Sequence, residues 1–307
     1  MSWFERLDKT VKAYLPDLAW ESDADMSRHT SFRIGGPAKR MAFPSSAEQL
    51  VLLLSFANQC GARPLVIGNG TNLLVPDDGL DRLVINMSRG MNRLELENDR
   101  VTIRAESGVT LARLADFAQK NGLTGLEFAH GIPGTVGGGV CMNAGAYDGE
   151  MKMTVESATA LDPENGVRTL LLDQLAFRYR HSVLTDHPDW ILLQAEFRLQ
   201  SGDPSAIRAK MNELMDRRKA SQPLEFPSAG SVFKRPEGYF AGTLIDQCGL
   251  KGLTVGGAQV SEKHAGFIIN RGGATCADVL ELIARIQELV LERKGVPLEP
   301  EVRIIKN

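Results

Sequence analysis

A dense cluster of glycines in the first half of the chain limits the possible folds more than any other feature. Six glycines fall within the fifteen residues from Gly131 to Gly145, which also contain a proline. Glycine lets the backbone turn sharply and approach other groups closely, because it has no side chain. Ile132, Val136 and Val140 alternate with these glycines, so the segment is more apolar than a solvated linker. The cluster therefore predicts bare backbone lying against a flat ligand, with a flexible surface loop as the alternative.

A second group of glycines lies in Gly68-Asn-Gly-Thr-Asn72, directly after a predicted strand over Pro64–Ile67. Backbone N–H groups in such a turn can point towards one centre and bind an anion such as a pyrophosphate. An ordinary turn at the end of a strand is the alternative. Leu73 stands where a G-x-G-x-x-G motif needs its third glycine, and no Gly-Lys-Ser/Thr follows. A Rossmann dinucleotide site and a Walker-type ATPase are therefore both disfavoured.

The last third of the chain carries single polar residues instead of glycine clusters. Ser231 stands on a glycine turn within Ser228–Pro236, next to two cationic residues. No G-x-S-x-G pattern surrounds it, so a hydrolase nucleophile elbow is disfavoured, and a solvated serine is the simpler alternative. Glu301 lies between a proline and a predicted strand near the end of the chain. Taken alone, Glu301 is typical of a surface carboxylate.

Hydrophobic periodicity predicts a mixture of helices and strands, which indicates an α+β or α/β fold. Helices are predicted at Ala47–Cys60, Leu111–Asn121 after a Thr110 cap, Ser205–Arg218 and Ala277–Lys294. Strands are predicted at Pro64–Ile67, Leu83–Asn86, Val101–Ala105, Val155–Leu161, Ile191–Leu199, Ala265–Asn270 and Val302–Ile305. A further strand of alternating polar and apolar residues is expected in His29–Pro37, ahead of its glycine pair. The polar stretch Gln200–Pro204 is the best candidate for a domain boundary, and Asn86–Arg93 is a weaker one.

Composition excludes several classes of partner. Thirty-five basic and 38 acidic residues give a net charge of −3, so the chain has no basic field for nucleic acid or an anionic membrane. Its apolar runs are far shorter than the roughly 20 residues that span a bilayer, and its start lacks the apolar core of a signal peptide. The four cysteines and five histidines show no metal-ligand spacing. We expect a cytoplasmic protein with reduced thiols, no metal, and neither nucleic acid nor membrane as a partner.

Six segments occur in the order found in one known family, and together they extend over nearly the whole chain. They are His29–Pro37, Gly68–Leu74, Gly131–Gly138 with Met142–Ala146, Tyr179–Ser182, Ala229–Pro236 and Leu298–Val302. In these segments the chain resembles the UDP-N-acetylenolpyruvoylglucosamine reductase (MurB) family. The resemblance implies an α+β bacterial flavoenzyme of the cytoplasm, with a two-subdomain FAD-binding unit of the PCMH type and a smaller α+β substrate-binding domain. We place the two subdomains at residues 1–86 and 87–200 and the substrate domain at residues 201–307.

The same resemblance implies a reaction and the residues that carry it. NADPH reduces FAD, and the flavin passes a hydride to the enolpyruvyl ether of a UDP-sugar, which yields UDP-N-acetylmuramate, a peptidoglycan precursor. The implied catalytic residues are Arg180, the proton donor Ser231 and the carboxyl group of Glu301. Lys219 and Arg235 fall where family members hold the diphosphate of the substrate. The implied cofactor-binding residues are Gly68, Asn69, Gly70, Thr71, Asn72, Ile132, Gly134, Thr135, Gly137, Gly138, Asn143, Ala144 and Gly145.

These roles are chemically consistent with one another. Hydride addition to the enolpyruvyl β-carbon builds negative charge on the α-carbon and its carboxylate, which the Arg180 cation can stabilise. Ser231 is a poor acid at neutral pH, so it needs cationic or hydrogen-bonding assistance. Glu301 could hydrogen-bond to the carboxylate if its own pKa is raised.

Two departures from the family pattern point to a shorter subtype. Arg235 stands where part of the family has an asparagine before proline, and no tyrosine-bearing insertion follows Arg180. Two alternatives stay open. The chain could be another FAD-dependent oxidase or dehydrogenase with the same cofactor fold, or a nucleotide-binding protein that performs no chemistry.

Overall fold

The computed structural model describes all 307 residues of the chain. Two compact units make up the chain. The first comprises Met1–Trp20, Ala42–Asn69 and Leu83–Arg218, and the second comprises Glu21–Met41, Gly70–Arg82 and Lys219–Asn307. The division into three domains made above stays a prediction. No helix combines the length and the apolar composition that a membrane span requires.

Eight α-helices are present, together with three single-turn 3₁₀ helices at Met26–Arg28, Glu127–Ala129 and Met151–Met153. The α-helices are α1 (Trp3–Tyr14), α2 (Ala47–Cys60), α3 (Leu111–Lys120), α4 (Val136–Cys141), α5 (Val183–Asp186), α6 (Pro204–Ser221), α7 (Ala241–Gln247) and α8 (Cys276–Lys294).

Nineteen strands, many of only two or three residues, accompany the helices. They are β1 (Ala19–Asp25), β2 (Pro37–Phe43), β3 (Pro64–Ile67), β4 (Leu73–Leu74), β5 (Leu80–Asn86), β6 (Leu94–Leu96), β7 (Thr102–Glu106), β8 (Leu123–Thr124), β9 (Gly145–Ala146), β10 (Gly149–Glu150), β11 (Val155–Asp162), β12 (Gly166–Leu171), β13 (Ile191–Arg198), β14 (Gln200–Ser201), β15 (Ser228–Ser231), β16 (Thr254–Val255), β17 (Ala258–Val260), β18 (Phe267–Asn270) and β19 (Arg303–Ile304). A four-stranded sheet has the order β1-β2-β5-β3, in which β3 and β5 are parallel.

The larger core of the first unit lies beneath a five-stranded sheet of order β12-β11-β13-β7-β6, whose neighbouring strands are antiparallel. Helix α3 buries Leu111, Leu114, Ala115 and Ala118 in this core. These residues recur at the helical spacing that places apolar side chains on one face. The helix begins after Thr110, whose hydroxyl accepts a hydrogen bond from the N–H of Arg113.

A smaller core in the same unit packs α1 against α2 and the end of β5. Helix α1 starts with a capping box in which Ser2 and Glu5 satisfy each other's backbone N–H groups. Helix α2 starts after Ser46 and ends at Gly61, whose φ of +70° suits a helix C-terminus. Both helices are therefore defined by local signals at their ends and by one buried apolar face.

The second unit is built on a four-stranded antiparallel sheet of order β15-β18-β17-β16, which packs with α7 and α8 around a separate core. Helix α8 has a capping box formed by Thr275 and Asp278, and Asp77 accepts hydrogen bonds from the N–H groups of Cys276 and Ala277. The short strand β19 pairs in parallel with β4. This pairing joins two segments that are more than 200 residues apart in the chain.

The structure confirms the α+β class and most of the predicted elements. Helix α2 and strand β3 have the predicted bounds, and the other predicted helices differ at their ends by one to three residues. The strand expected in His29–Pro37 is wrong, because Oγ1 of Thr30 hydrogen-bonds to both backbone groups of Ile34 and closes a loop there. Arg33 in this loop has a φ of +54°, which a strand cannot contain. Strand β2 begins only at Pro37, so the glycine pair precedes a strand instead of following one.

Candidate active site

The loop after β3 carries backbone N–H groups that the chain itself leaves unused. Four consecutive residues, 69–72, donate no backbone hydrogen bond within the chain. Gly70 has a φ of +61°, and a Cβ on it would lie 2.1 Å from the carbonyl oxygen of His29. A Cβ on Gly68 would lie 2.2 Å from Oγ1 of Thr135. Side chains are therefore excluded at both positions, and the loop offers the free donors that an anion needs.

The glycine-rich segment folds in part into the short helix α4, which sequence reasoning missed because glycine is a poor helix former. Thr135 caps the helix, and Gly137 donates its N–H to the carbonyl oxygen of Ser107 at 2.8 Å. Gly139 is buried. Gly138 is exposed, and the nearest atom to a Cβ built on it is 3.9 Å away. Of these three glycines, only Gly138 presents open backbone to a ligand.

Asn143, predicted to bind the cofactor, uses its whole side chain within the protein. It is 1% exposed and has a φ of +42°. Its Nδ2 donates to Oε2 of Glu150 at 3.0 Å and to the carbonyl oxygen of Arg178 at 3.1 Å, while its Oδ1 accepts from the N–H of Lys152 at 3.0 Å. The side chain of Asn143 therefore supports the segment that carries Arg178. Its backbone N–H donates to the carbonyl oxygen of Val140 at 3.2 Å, so only its own carbonyl group is left for a ligand.

Arg180 lies at the tip of a tight two-residue turn. Arg178 and His181 exchange both of their backbone hydrogen bonds at 3.1 Å and so form the base of this turn. Arg180 has a φ of +52°, a region that L-residues rarely occupy without support from their surroundings. Its guanidinium carbon lies 5.1 Å from the centre of the Tyr179 ring. The hydrogen bonds at the base of the turn therefore maintain the unusual backbone conformation of Arg180, the predicted catalytic cation.

Two side chains at the base anchor this turn. Oγ of Ser182, which is fully buried, donates to the carbonyl oxygen of Cys141 at 2.8 Å, where α4 ends. Nε2 of His181 lies 2.9 Å from Oδ1 of Asp186. This hydrogen bond lowers the pKa of Asp186 below its ordinary value. The hydroxyl of Ser182 and the amide of Asn143 thus tie the turn to the end of the glycine-rich segment, and His181 ties it to α5.

In the second unit, the structure brings Ser231 and Glu301 together. Val232, which follows Ser231, accepts the N–H of Glu301 on its carbonyl oxygen at 2.7 Å. Oγ of Ser231 donates to the carbonyl oxygen of Phe233 at 3.3 Å. Nδ2 of Asn72 donates to the carbonyl oxygen of Glu301 at 3.1 Å. Glu301 is therefore joined by a backbone hydrogen bond to the residue after Ser231 and by a side-chain hydrogen bond to Asn72, whereas Arg180 belongs to the first unit.

His264 lies next to Ser231, and sequence reasoning assigned it no role. A Cβ on Gly266 would lie 3.2 Å from Nδ1 of His264 and 3.4 Å from Oγ of Ser231. Nδ1 accepts the N–H of Gly266 at 3.1 Å, so the proton of the neutral ring is on Nε2. Burial, with a contribution from Lys251, lowers the pKa of His264. In the sequence, only Gly266, two positions after His264, indicates that His264 and Ser231 lie close together.

The two residues predicted to hold a diphosphate are both exposed. Lys219 lies near the end of α6, and its carbonyl oxygen accepts a hydrogen bond from Nζ of Lys263 at 2.6 Å. The guanidinium carbon of Arg235 lies 3.9 Å from the centre of the Phe240 ring. Stacking of this kind fixes the plane of a cation that can bind an anion through its N–H groups.

Two family models match the chain. The model of an FAD binding domain matches residues 38–170, which include the loop at residues 69–72 and the glycine-rich segment. The model of the C-terminal domain of UDP-N-acetylenolpyruvoylglucosamine reductase matches residues 222–305, which include Ser231 and Glu301. The fold and the site thus define a flavoenzyme, an FAD-dependent oxidoreductase.

Similar proteins agree with these two matches over the full chain. The UDP-N-acetylenolpyruvoylglucosamine reductase of Caldanaerobacter subterraneus is 48% identical over 91% of each chain, and that of Levilactobacillus brevis is 49% identical over 92% of each. The crystal structure of the MurB enzyme from Thermus caldophilus is 34% identical, covers 94% of this chain and 99% of its own, and has a TM-score of 0.80. The chain belongs to the UDP-N-acetylenolpyruvoylglucosamine reductase family, which confirms the resemblance found in its six segments.

Proposed function

We propose that this protein uses NADPH to reduce the enolpyruvyl ether of UDP-N-acetylglucosamine enolpyruvate, which yields UDP-N-acetylmuramate for peptidoglycan synthesis. The observation that carries this proposal is the hydrogen bond from the backbone N–H of Glu301 to the carbonyl oxygen of Val232, the residue after Ser231, since it joins the two segments that carry the predicted carboxyl group and the predicted proton donor. A hydroxyl and a carboxyl group carried on paired segments suit the protonation of a carbon that bears a carboxylate. The names of the family members supply the substrate, and these residues supply the chemistry.

The loop at residues 69–72 and the glycine-rich segment both have groups that fit FAD. The four unused N–H groups at residues 69–72 suit its diphosphate, and the open backbone of Gly138 suits a close approach. Around these we assign contacts to Gly68, Ile132, Gly134, Thr135, Gly137, Ala144 and Gly145, and to the backbone of Asn143. When bound, FAD accepts electrons from NADPH and supplies the hydride.

Arg180 stabilises the charge that develops on the substrate. Hydride addition at the β-carbon gives the α-carbon and its carboxylate enolate character, and a fixed cation lowers the energy of that state. The tight turn that carries Arg180 favours this role, because its base is held by backbone and side-chain hydrogen bonds and little reorganisation is needed.

Ser231 donates the proton that completes the reaction. Its Oγ points to the carbonyl oxygen of Phe233 in this structure, and rotation about one bond turns its O–H towards a substrate. Glu301 provides the hydrogen-bonding assistance that a serine requires to act as an acid. Lys219 and Arg235 bind the diphosphate of the substrate, and in Arg235 the stack on Phe240 sets the plane of the guanidinium.

The wider setting follows from the same assignment. We propose that the protein acts in the cytoplasm on NADPH and a UDP-sugar, with neither nucleic acid nor membrane as a partner. The small net charge of −3 suits ligands that are held by a few local cations. The three predicted domains, 1–86, 87–200 and 201–307, would then be two cofactor-binding subdomains and one substrate-binding domain of the shorter subtype.

Replacing Ser231 with alanine tests the proposed chemistry, because it removes the donated proton and leaves electron transfer from NADPH intact. We expect flavin bleaching by NADPH at close to the wild-type rate and turnover of the enolpyruvyl substrate slower by about 10²–10³-fold. Stopped-flow absorbance measures the two half-reactions separately. Ser55→Ala, on the exposed side of α2, serves as the control and should match the wild type. A Ser231→Ala protein that reduces the substrate at the wild-type rate would show that Ser231 is not the donor.

A further inference from the structure

Arg218, near the end of α6, is a half-buried cation without a partner of opposite charge. It takes part in no ion pair, no side-chain hydrogen bond and no stacking contact with an aromatic ring. The neighbouring Arg217, in contrast, is exposed, pairs with Glu213 at 3.7 Å and lies over the ring of Tyr147 at 4.9 Å. A guanidinium removed from water without a compensating anion is energetically unfavourable. The absence of a protein partner therefore calls for a ligand.

The surroundings of Arg218 belong to the glycine-rich segment. A Cβ on Gly131 would lie 3.1 Å from Cδ and 3.7 Å from Nη1 of Arg218, so the arginine lies directly against the bare backbone of this glycine. The N–H of Gly131 also donates no hydrogen bond within the chain. A cationic donor and a free backbone donor thus lie next to each other, which is the pair of groups that an oxyanion recruits.

No carboxylate occupies this place. Burial lowers the pKa of the Arg218 guanidinium, and the interaction that opposes this effect is with the phenol of Tyr147. Gly131 and Tyr147 both lie within the part of the chain that matches the FAD binding domain, while Arg218 lies between the two family matches. Gly131 and Tyr147, which lie near Arg218, therefore belong to a segment that matches a nucleotide-binding domain.

We propose that Arg218 and the N–H of Gly131 bind a phosphate group of a bound nucleotide. Two nucleotides supply this chemistry: FAD, through its diphosphate, and the UDP-sugar, through its own. The first source rests on the FAD-binding domain alone, and the second rests on the proposed function. Arg218 is additional to the site residues Arg180, Ser231 and Glu301. A single guanidinium can donate two parallel hydrogen bonds to one phosphate group.

Arg218→Gln removes the charge and keeps two methylene groups and a polar end, and Arg217→Gln is its matched control on the same helix turn. Binding of FAD, FMN and riboflavin to the apoprotein, followed by flavin fluorescence, separates contacts to phosphate from contacts to the ring. Binding of UDP to the FAD-loaded protein, followed by calorimetry, reports on the other nucleotide. A charge-assisted phosphate contact predicts a loss of about ten- to a hundredfold in affinity.

If FAD binds more weakly to Arg218→Gln while riboflavin binds as before, Arg218 holds the cofactor diphosphate. If only UDP binds more weakly, it holds the diphosphate of the substrate. Both outcomes support the proposal, provided that Arg217→Gln matches the wild type. Unchanged affinities for FAD and UDP would overturn it, and so would an equal loss for riboflavin, which would place Arg218 against the ring or in the protein scaffold.

The apoprotein supplies a second measurement that guards against a folding defect. Removal of this unpaired, half-buried charge should leave the melting temperature of the apoprotein the same or higher, while the rise in melting temperature on adding FAD or UDP becomes smaller. A less stable Arg218→Gln apoprotein would assign Arg218 a structural role and contradict the proposal. Arg218→Lys, which keeps the charge without the fork of donors, should weaken binding less than Arg218→Gln. A wild-type protein that binds FAD but does not reduce the enolpyruvyl substrate would contradict the proposed function alone.

Discussion

At the scale of single residues, some glycines have no room for a side chain, whereas others could carry one without a clash. Gly70 and Gly61 both have left-handed backbone, with φ of +61° and +70°. A Cβ on Gly70 would collide with the carbonyl oxygen of His29, whereas nothing lies within 4 Å of a Cβ on Gly61. The two positions therefore separate the effect of backbone strain from the effect of a steric clash.

We predict that Gly70→Ala lowers the stability and the FAD affinity of the protein much more than Gly61→Ala does. Backbone strain alone costs about 1 kcal/mol, and displacing backbone at Gly70 adds at least as much again. Thermal unfolding of the apoproteins and FAD titration measure both effects. Equal melting temperatures for the two variants would mean that the loop at residues 69–72 relaxes without difficulty, which contradicts the rigid anion site described here.

The lowered pKa of His264 predicts a pH dependence of stability. The neutral imidazole is favoured in the folded protein. The unfolded state therefore takes up a proton on His264 at a higher pH than the native state does. The stabilisation is complete above the unfolded pKa of about 6.5 and is lost as pH falls towards the lower folded value. Melting temperatures between pH 8 and pH 5 should therefore fall more steeply for the wild type than for His264→Gln. His187→Gln, which removes an exposed histidine, should behave like the wild type.

At the scale of elements, the turn that carries Arg180 depends on the end of the glycine-rich segment. Asn143→Gly keeps a left-handed backbone, which glycine tolerates, but deletes the amide that holds the carbonyl of Arg178. We predict normal flavin reduction by NADPH and a slower transfer to the enolpyruvyl substrate, by about tenfold. Arg100→Gly, in an exposed turn with φ of +60°, is the control and should change neither step.

A double-mutant cycle decides whether Asn143 acts through Arg180. Once Arg180 is replaced by alanine, Asn143→Gly should slow the substrate step no further, since there is no cation left to position. If the two effects simply multiply, Asn143 has an independent role, and the turn is not what it supports. The flavin content of each variant must be measured, because Asn143 was also predicted to contact FAD.

The elements that could be predicted from the sequence are those with local causes. Helix α2 follows from its apolar face, its Ser46 cap and its Gly61 end, and β3 follows from an apolar run between turn residues. The loop at Thr30 and the helix α4 could not be predicted in this way, because each also uses distant partners: the loop hydrogen-bonds to Gly70 and Asn270, and α4 hydrogen-bonds to residues 107 and 109. The same holds for the end of the chain, where Glu301 is placed by its hydrogen bond to Val232.

At the scale of the whole molecule, the candidate site was found from sequence only where motifs were recognisable. Ser231, Glu301 and Arg180 follow from the family resemblance, and the loop at residues 69–72 also follows from its glycines. His264 and Arg218 carry no motif, because their significance lies in what surrounds them in space: a glycine next to a serine, and a cation without an anion. Both residues are recognisable only from the contacts and burial of their side chains in the folded structure.

The central claim is that this flavoenzyme passes electrons from NADPH to an enolpyruvyl UDP-sugar. The most direct test is to reduce the FAD-loaded protein with one equivalent of NADPH without oxygen and then to add UDP-N-acetylglucosamine enolpyruvate. We expect the visible flavin absorbance to return and one equivalent of UDP-N-acetylmuramate to form, whereas UDP-N-acetylglucosamine restores nothing. A flavin that NADPH reduces but that stays reduced after addition of the enolpyruvyl substrate would show that the protein does not catalyse this reaction.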